Sequence, residues 1–405
     1  MKSYDDALAA MDFRIGWTHD GIRHTDCLHA QRVNFWRDIL PAGLCETMGK
    51  QPGARSVALE LQAGRDLPSA NPAQVFRVRW TDVEKRRLAG VEIEPCCGRF
   101  YPRGMLRGVP GVFRENIQPF RCTGLEPEGL VADCNHPLSG KKLAVEVAIN
   151  DLRPKFEEHG GATTDWLETA LAGPGMQARA NGGPTNFFAD RPFARTDENE
   201  DGVFYDRPRL VNHIDDAAIG VVSELYGRLI LPGGDVLDLM GSWTSHLPAG
   251  LSLGSLTVLG LNLDELNANP RAAARVVHDL NLRPALPFGH ARFDAVICTV
   301  SVEYLTRPFE VFDEVARVLR PGGLFILTFS NRWFPPKVIR IWPELHEFER
   351  LGMVLEYFRK SGKYRDLETY SLRGLPRPEN DKYFGQIHFA DPVYAVWGRT
   401  APGAG

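Results

Sequence analysis

The stretch Asp235–Pro248 (DVLDLMGSWTSHLP) places one glycine, Gly241, directly after a short apolar run, where a ligand-binding glycine loop belongs. A glycine there lets the backbone approach a ligand closely, and the usual Gly-x-Gly-x-Gly loop opens a helix whose amides meet the ligand. Here only Gly241 remains, and Trp243 sits in the loop. Pro248, Gly250 and Gly254 leave room for barely one helical turn, since proline and glycine cost roughly 3 and 1 kcal/mol in a helix interior. The acid expected about 20 residues on, to pair with ribose hydroxyls, is replaced by Asn262, with Leu263, Asp264 and Glu265 behind it. An amide still bonds a hydroxyl, without charge-assisted strength. Asp279, Leu280 and Asn281 supply a further acid and amide, and Thr299–Glu303 a further polar turn.

These residues follow a regular rhythm of elements. Val236–Leu239, Ser255–Leu261, Ala295–Val300 and Leu324–Ser330 are apolar runs that read as buried strands. Between the last two, Phe309, Phe312, Val315, Ala316 and Leu319 fall on one face of a helix over Pro308–Leu319. Arg320–Gly323 then turns the chain into the next strand. Buried strands alternating with helices predict an α/β, doubly wound parallel sheet, whose ligand crevice lies at the carboxyl ends of its strands. That places Asp238, Met240, Gly241, Asn262, Leu263, Asp279, Leu280 and Thr299 around one site. Upstream, Asp206–Gly227 reads as an amphipathic helix, with Arg209, His213 and Asp216 near one another.

The block FDAVICTVSVEYLTRPFEVFDEVARVLRPGGLFILTFSNR resembles the fourth-strand, helix and fifth-strand section of class I S-adenosylmethionine-dependent methyltransferases of the small-molecule type. HDLNLRPALPF is similar to that group's acid followed by Leu-Pro-Phe. A narrower resemblance, to a branch with a Leu-Met-(Ser/Gly)-Ser-Trp loop, rests on Phe204–Asp215, Leu239–Trp243 and Phe329–Arg332, and the likeness spans about Val203–Arg399. It implies a Rossmann-like fold, S-adenosyl-L-methionine as cofactor, and a small-molecule or protein acceptor. Two readings stay open. In one, Gly241 gives the close approach a methionine tail needs, Asn262 or Glu265 holds the ribose, and Asp279 accepts from the adenine amino group. In the other, Trp243 fills the pocket and only a scaffold persists, binding the cofactor without catalysis or nothing at all. Methyl transfer from a sulfonium is an in-line displacement, needing alignment and a base only if the nucleophile carries a proton. Tyr205, His213, Tyr304, Asn331 and Arg332 are the candidates for the acceptor side, with Arg209 a candidate for the methionine carboxylate. VEYLTRP offers no Asn-Pro-Pro-Tyr motif, which speaks against nucleic-acid or amide-nitrogen methylation. The aromatic-rich segment from Trp333 to Tyr370 reads either as an apolar lid or as packing against the sheet.

The N-terminal part has another rhythm. Met11–Thr18, Ala54–Gln62, Phe76–Trp80, Val91–Pro95 and Leu143–Ile149 read as strands split by glycine and proline turns, an antiparallel β-rich (α+β) pattern. GLVADCNHPLSGK followed by KKLAVEVAI resembles the end of FKBP-type prolyl isomerases of the SlyD-like kind. LPAGLCETMGKQPGARSVALEL is similar to that family's Pro-Gly-(Leu/Trp)-Glu helix, turn and strand, and FRIGWTHDGIRHTD sits where its first hairpin would be. The resemblance implies a prolyl pocket at Trp17, Asp26, Leu44 and Cys97. Its aromatics are largely replaced, so it implies a peptide-binding or structural module rather than a strong isomerase.

The expected division is therefore 1–154 FKBP-like, 155–200 linker and 201–405 methyltransferase-like. The linker reading rests on GGATT, AGPGM, NGGPTN and the acidic DENED, interrupted by a short helix at Asp165–Leu171. A net charge of -4 over 405 residues gives no electrostatic case for nucleic acid. No apolar run approaches the ~20 residues of a membrane span, and the start MKSYDDALAAMDF lacks a signal-peptide core. With seven cysteines in no paired motif, reduced thiols in a cytoplasmic protein are expected. Cys96 and Cys97 are adjacent, a poor arrangement for one metal ion, so no metal site is expected.

Overall fold

The computed structural model describes residues 7–50, 55–61, 66–67, 69–85, 87–88, 91–154, 160–180 and 183–402. In the N-terminal half, β1 (Ala7–His19) and β2 (Ile22–Asn34) form a hairpin turned at Asp20-Gly21, both with positive φ. The positive-φ pair suits the right-handed twist of the strands it joins. Then follow α1 (Leu44–Lys50), β3 (Ser56–Glu60), β4 (Val75–Arg79), a two-strand ribbon of β5 (Arg87–Leu88) and β6 (Val91–Glu92), β7 (Phe100–Pro102), β8 (Pro119–Glu126), β9 (Gly129–Asp133) and β10 (Ala144–Pro154). β4, β9, β8 and β7 make a separate four-stranded sheet with its own core around Tyr101, Phe120 and Leu130.

The C-terminal half runs α2 (Trp166–Leu171), α3 (Asp201–Phe204), α4 (Asp216–Leu229), β11 (Asp235–Leu239), β12 (Ser255–Gly260), α5 (Leu263–Ala268), β13 (Ala274–Val277) and β14 (Phe293–Thr299). It closes with α6 (Pro308–Val318), β15 (Leu319–Phe329), α7 (Ile341–Glu344), α8 (Glu347–Ser361), β16 (Tyr364–Arg373) and β17 (Val393–Thr400). β13, β12, β11, β14 and β15 pair in parallel, and β17 and β16 add antiparallel. Apolar clusters cover both faces: α6 and α8 on one, α4 and α5 on the other. The four expected C-terminal strands and the helix after Arg307 all form, with Pro308 at the first helical position, where its missing N–H costs nothing.

The two halves share one sheet. Its order is β13-β12-β11-β14-β15-β17-β16-β2-β1-β10-β3, and the junction is a parallel ladder pairing Arg23–Leu28 with Glu368–Arg373. Polar side chains buried at the seam reinforce it. His24 Nδ1 lies 2.8 Å from Thr369 Oγ1, and Ser371 donates to the Asp26 carboxylate, which also meets Arg373 at 3.3 Å.

Two expectations need correcting. The stretch 155–200 is no loose linker in its described residues: α2 packs into the N-terminal core, residues 173–178 are buried, and Phe187 and Phe193 join the C-terminal core. Gly161, Gly173 and Gly175 serve close contact rather than reach. A Cβ on Gly175, whose φ is +99°, would fall 2.8 Å from Pro137. Nor does the helix over Asp206–Gly227 begin so early. Pro208 and Asn212 lie in irregular chain, and α4 starts where Asp215 accepts from the Ala218 amide. The aromatic segment resolves mostly into packing, with Trp342 of α7 and Tyr357 and Phe358 of α8 in the core.

Candidate active site

A cavity of about 130 Å³ opens at the carboxyl ends of β11, β12, β13 and β14. Asp238, Met240, Gly241, Asn262, Asp279, Leu280 and Thr299 line it as expected from the strand order. Leu263 does not; as the first residue of α5 it is exposed to solvent.

The loop after β11 is built around Gly241. Met240 has a φ of 56°, and Gly241 donates its amide to Leu259 O at 2.8 Å. A Cβ at 241 would fall 2.6 Å from the Asp238 carboxyl and 2.7 Å from Val258, so glycine is required by protein packing before any ligand arrives. No helix follows; the chain turns at Pro248 into β12. The indole of Trp243 lines the cavity, and its N–H donates to Val211 O at 3.3 Å, tying the loop to the segment ahead of α4. Asn269 holds the loop from beneath through Ser242 O and Ser245 Oγ.

Asn262 and Glu265 are engaged with the protein. Asn262 caps α5 with its carbonyl, and its amide donates to Tyr205 O at 2.9 Å and Asp206 O at 2.8 Å. Glu265 accepts from the Arg209 amide and the Ser242 hydroxyl, both at 2.6 Å. They fasten the crevice walls. Asp279 accepts from the Asn281 amide at 2.9 Å, shaping the turn after β13. Thr299 is braced at 2.6 Å by the buried Tyr226 hydroxyl.

Asp238 is different. It is 2% exposed, its Oδ2 has no hydrogen-bond partner, and burial pushes its pKa up to about 7, with Ser245 pulling weakly the other way. Glu303, one turn past β14, is fully buried with both carboxyl oxygens unpartnered; burial pushes it up to about 8, against the nearby Arg350 charge.

On the outer side of the crevice stand Tyr205, His213, Tyr304, His246 and Phe334. His213 sits at the solvent rim with its ring 5.0 Å from Phe334, edge-on. Tyr304 accepts from the Phe334 amide at 2.9 Å, and burial lowers His246 to about 4. Arg209 lies over the Phe204 ring at 4.6 Å, with one guanidinium nitrogen buried and unpartnered. A buried ionic knot fixes this side. Asp201 meets Arg195 at 2.7 Å and the fully buried Lys337 at 3.1 Å, and accepts from Asn281 at 2.7 Å. Phe334 belongs to the aromatic segment read as lid or packing, and here it lines the crevice; His246, in the loop after β11, is not among the expected site residues.

Asn331 and Arg332 are not brought into this crevice. They face a second cavity, because Ser330 donates to Pro392 O and the Arg332 guanidinium stacks 4.7 Å over Tyr383, drawing the chain toward residues 380–392.

The four prolyl-pocket candidates do not converge on a cavity either. Trp17, Asp26 and Leu44 are buried, and Trp17 and Leu44 share a core with Leu167, Ala170 and Leu171 of α2. Asp26 is turned to Ser371 and Arg373 of β16. Cys97 is exposed, beside Thr123 at the end of the small sheet. Among the described residues, no group of three or more His, Cys, Asp or Glu could hold a metal ion.

Comparison with known proteins bears on the crevice directly. Residues 241–327 match the methyltransferase domain family. An uncharacterized methyltransferase of Mycolicibacterium vanbaalenii is 31% identical over 189 residues, covering 42% of this chain and 67% of that protein. The chain belongs to the methyltransferases. A ubiquinone/menaquinone biosynthesis C-methyltransferase of Roseobacter denitrificans is 34% identical over 96 residues, covering 23% of this methyltransferase and 36% of that one. A solved SAM-dependent methyltransferase of Aquifex aeolicus overlays with a TM-score of 0.31 at 14% identity, covering 50% of this chain and 97% of that one. The cofactor is S-adenosyl-L-methionine. At the floor of the crevice the Asp238 carboxyl is buried against Gly241, hydrogen-bonded to Ser245 and with Oδ2 lacking a hydrogen-bond partner. No helix among the described residues is long and apolar enough to cross a membrane.

Proposed function

We propose that this methyltransferase binds its cofactor across the ends of β11, β12, β13 and β14 and passes the methyl group to a small molecule or a protein side chain held on the Tyr205–Phe334 side. The observation that carries the reading is the convergence of four strand ends on one crevice, with the buried Asp238 carboxyl and its unpartnered Oδ2 at the floor. When bound, the cofactor supplies an electrophilic methyl on a sulfonium. The chain's own part is to align the acceptor and exclude water, as in-line displacement demands. Tyr205, Tyr304 and Phe334 form an aromatic wall suited to a flat or apolar acceptor. Where the acceptor atom carries a proton, His213 is placed at the rim to take it and pass it to solvent. Arg209, with its free guanidinium nitrogen, is positioned for a carboxylate.

The crevice, about 130 Å³, is bounded on one side by Trp243, whose loop closes over it in this reading. The N-terminal half acts in this reading as an FKBP-like extension of the sheet that holds substrate or stiffens the crevice, without prolyl isomerisation. The burial of Trp17 and Leu44 against α2 supports that assignment. Calorimetric titration of the full chain with S-adenosylmethionine, followed by transfer of a tritiated methyl group into small-molecule or protein fractions, tests the proposal. Binding without transfer to any fraction would favour a cofactor-binding scaffold. No binding would refute the site.

A further inference from the structure

Two imidazoles line the crevice from different elements, His246 from the loop after β11 and His213 from the irregular chain ahead of α4. They lie within electrostatic reach, since a charge on His213 disfavours one on His246. Elsewhere the protein uses its histidines structurally. His24, His29, His136, His278 and His346 each hold a ring nitrogen within 3.3 Å of a protein hydrogen-bond partner. His213 and His246 have no such partner among the described residues, although His246 is half-buried. Imidazoles left single in a crevice keep their lone pair and N–H for what enters it.

Both rings stay uncharged at neutral pH. Burial lowers His246 to about 4, and His213 acts in the same direction. Desolvation lowers His213 as well, against the Glu265 charge and with those of Arg209 and Lys382. Each ring therefore offers one nitrogen able to accept a proton. His246 also holds a left-handed φ of 51°, a conformation that costs an L side chain and persists where its surroundings impose it. Beside the pair the wall is flat. Tyr304 stacks against Phe334 at 6.1 Å, and the His213 ring meets Phe334 edge-on at 5.0 Å.

We propose that the methyl acceptor is a planar hydroxyl compound of the phenol or enol type, and that His246 takes the hydroxyl proton while His213 hands it on to solvent at the rim. This rests on the methyl-transfer reading of the crevice and adds the acceptor class to it. In the step, the acceptor oxygen bonds to the methyl carbon as the sulfur–carbon bond breaks, with that electron pair staying on sulfur. The O–H proton moves to an imidazole nitrogen of His246. The positive charge thus leaves sulfur and appears on the ring, so the crevice keeps the same net charge through the step. Other acceptors fit the lining less well. An ammonium group would bring like charge toward Arg209, which lines the crevice with a buried, unpartnered Nη1. A carboxylate nucleophile carries no proton and would leave both imidazoles without a task.

The test uses the full chain, S-adenosylhomocysteine as a cofactor probe that cannot transfer, and two acceptors of similar shape. Phenol needs a base at neutral pH, whereas pentafluorophenol is already ionised. Calorimetry should give wild type and His246→Asn the same affinity for S-adenosylhomocysteine; asparagine is chosen because it tolerates a left-handed φ. With S-adenosylmethionine, the wild type should methylate both acceptors. His246→Asn should lose at least about a hundredfold on phenol, the scale of general-base catalysis, and stay within about threefold on pentafluorophenol. Its residual phenol rate should climb about tenfold per pH unit, because only phenolate then reacts, while the wild-type rate stays level near neutrality. His213→Gln, at the exposed rim, should show the same selectivity with a loss of about tenfold, and it decides the matter if His246→Asn fails to fold. Equal losses on both acceptors, at an unchanged melting temperature, would make the imidazoles structural and overturn the proposal. So would weaker S-adenosylhomocysteine binding by His246→Asn, which would give that ring to the cofactor, or cofactor binding by the wild type without transfer to phenol. A wild type that does not bind S-adenosylhomocysteine would refute the crevice reading and this proposal with it.

Discussion

Replacing Asp238 with asparagine probes the crevice through its least satisfied group. Burial raises this carboxyl from the ordinary 3.8 to about 7. That is about three units at roughly 1.4 kcal/mol each, so ionising Asp238 in place costs the folded protein on the order of 4 kcal/mol. The sign follows from proton counting. Between about pH 4 and pH 7 the folded state holds a proton that the unfolded chain has lost, so stability falls as pH rises through that window and levels above it. Asparagine matches the neutral acid in shape and never ionises. Asp238→Asn should therefore be stabilising without ligand, by little near pH 4 and by several kcal/mol near pH 8, on that same estimate. Glu303, raised to about 8, titrates in both proteins and cancels from the difference.

Cofactor binding should reverse the preference. A cation brought against Oδ2 favours the carboxylate, so binding below about pH 7 releases a proton, and affinity climbs by up to about tenfold per pH unit before levelling. Asp238→Asn should bind more weakly, with a flat pH dependence. Urea denaturation across pH, and calorimetry in buffers of different ionisation enthalpy, measure both effects. Parallel stability curves for the two proteins, or cofactor binding with no proton release near pH 6, would refute the reasoning.

Gly241→Ala should destabilise by about 1–3 kcal/mol and weaken cofactor binding together, because the new methyl collides with Asp238 and Val258; chemical denaturation and calorimetry on one preparation test the pairing. Trp243→Ala should speed cofactor association in stopped flow by removing the indole that ties the loop to Val211, and an unchanged or slower rate would show that the loop does not limit entry. Lys337→Met removes a fully buried ammonium from Asp197 and Asp201 and should cost about 3–5 kcal/mol, read as a lowered urea midpoint. A fragment ending at Pro154 loses Leu167, Ala170 and Leu171 from its core and bares the β16 side of β2, so it should aggregate; a monomeric fragment with cooperative unfolding would contradict this.

The parallel core was legible because its signals are local. Val236–Leu239 or Ala295–Val300 is an apolar run whatever surrounds it, and Pro308 opens its helix by its own stereochemistry. Strand order then brings Asp238, Gly241, Asp279 and Thr299 together without further information. What escaped is stabilised by distant partners. His24 and Asp26 make β2 look polar, yet both are buried because Thr369, Ser371 and Arg373 arrive from the other end of the chain. Gly175 belongs to a stretch that composition alone marks as flexible, and there it permits contact with Pro137. Asn262 and Glu265 have the right types for a ribose, but their capacity is taken up by Tyr205, Asp206, Ser242 and Arg209.

Most of these failures share a cause that bears on function. Asn262 and Glu265 are satisfied within the C-terminal half, but the others trace to the β2–β16 seam or to the segment strapped across it. Two modules joined by a loose tether would act on each other only through local concentration. A shared sheet couples them mechanically instead, because neighbouring strands cannot shift without breaking ladder hydrogen bonds and repacking both faces. Strain entering at β2 therefore reaches β16 and β17, and through β15 the wall that carries Asn331 and Phe334 beside the crevice. The N-terminal half is thus joined to the wall of the proposed acceptor side by the continuous run β2-β16-β17-β15.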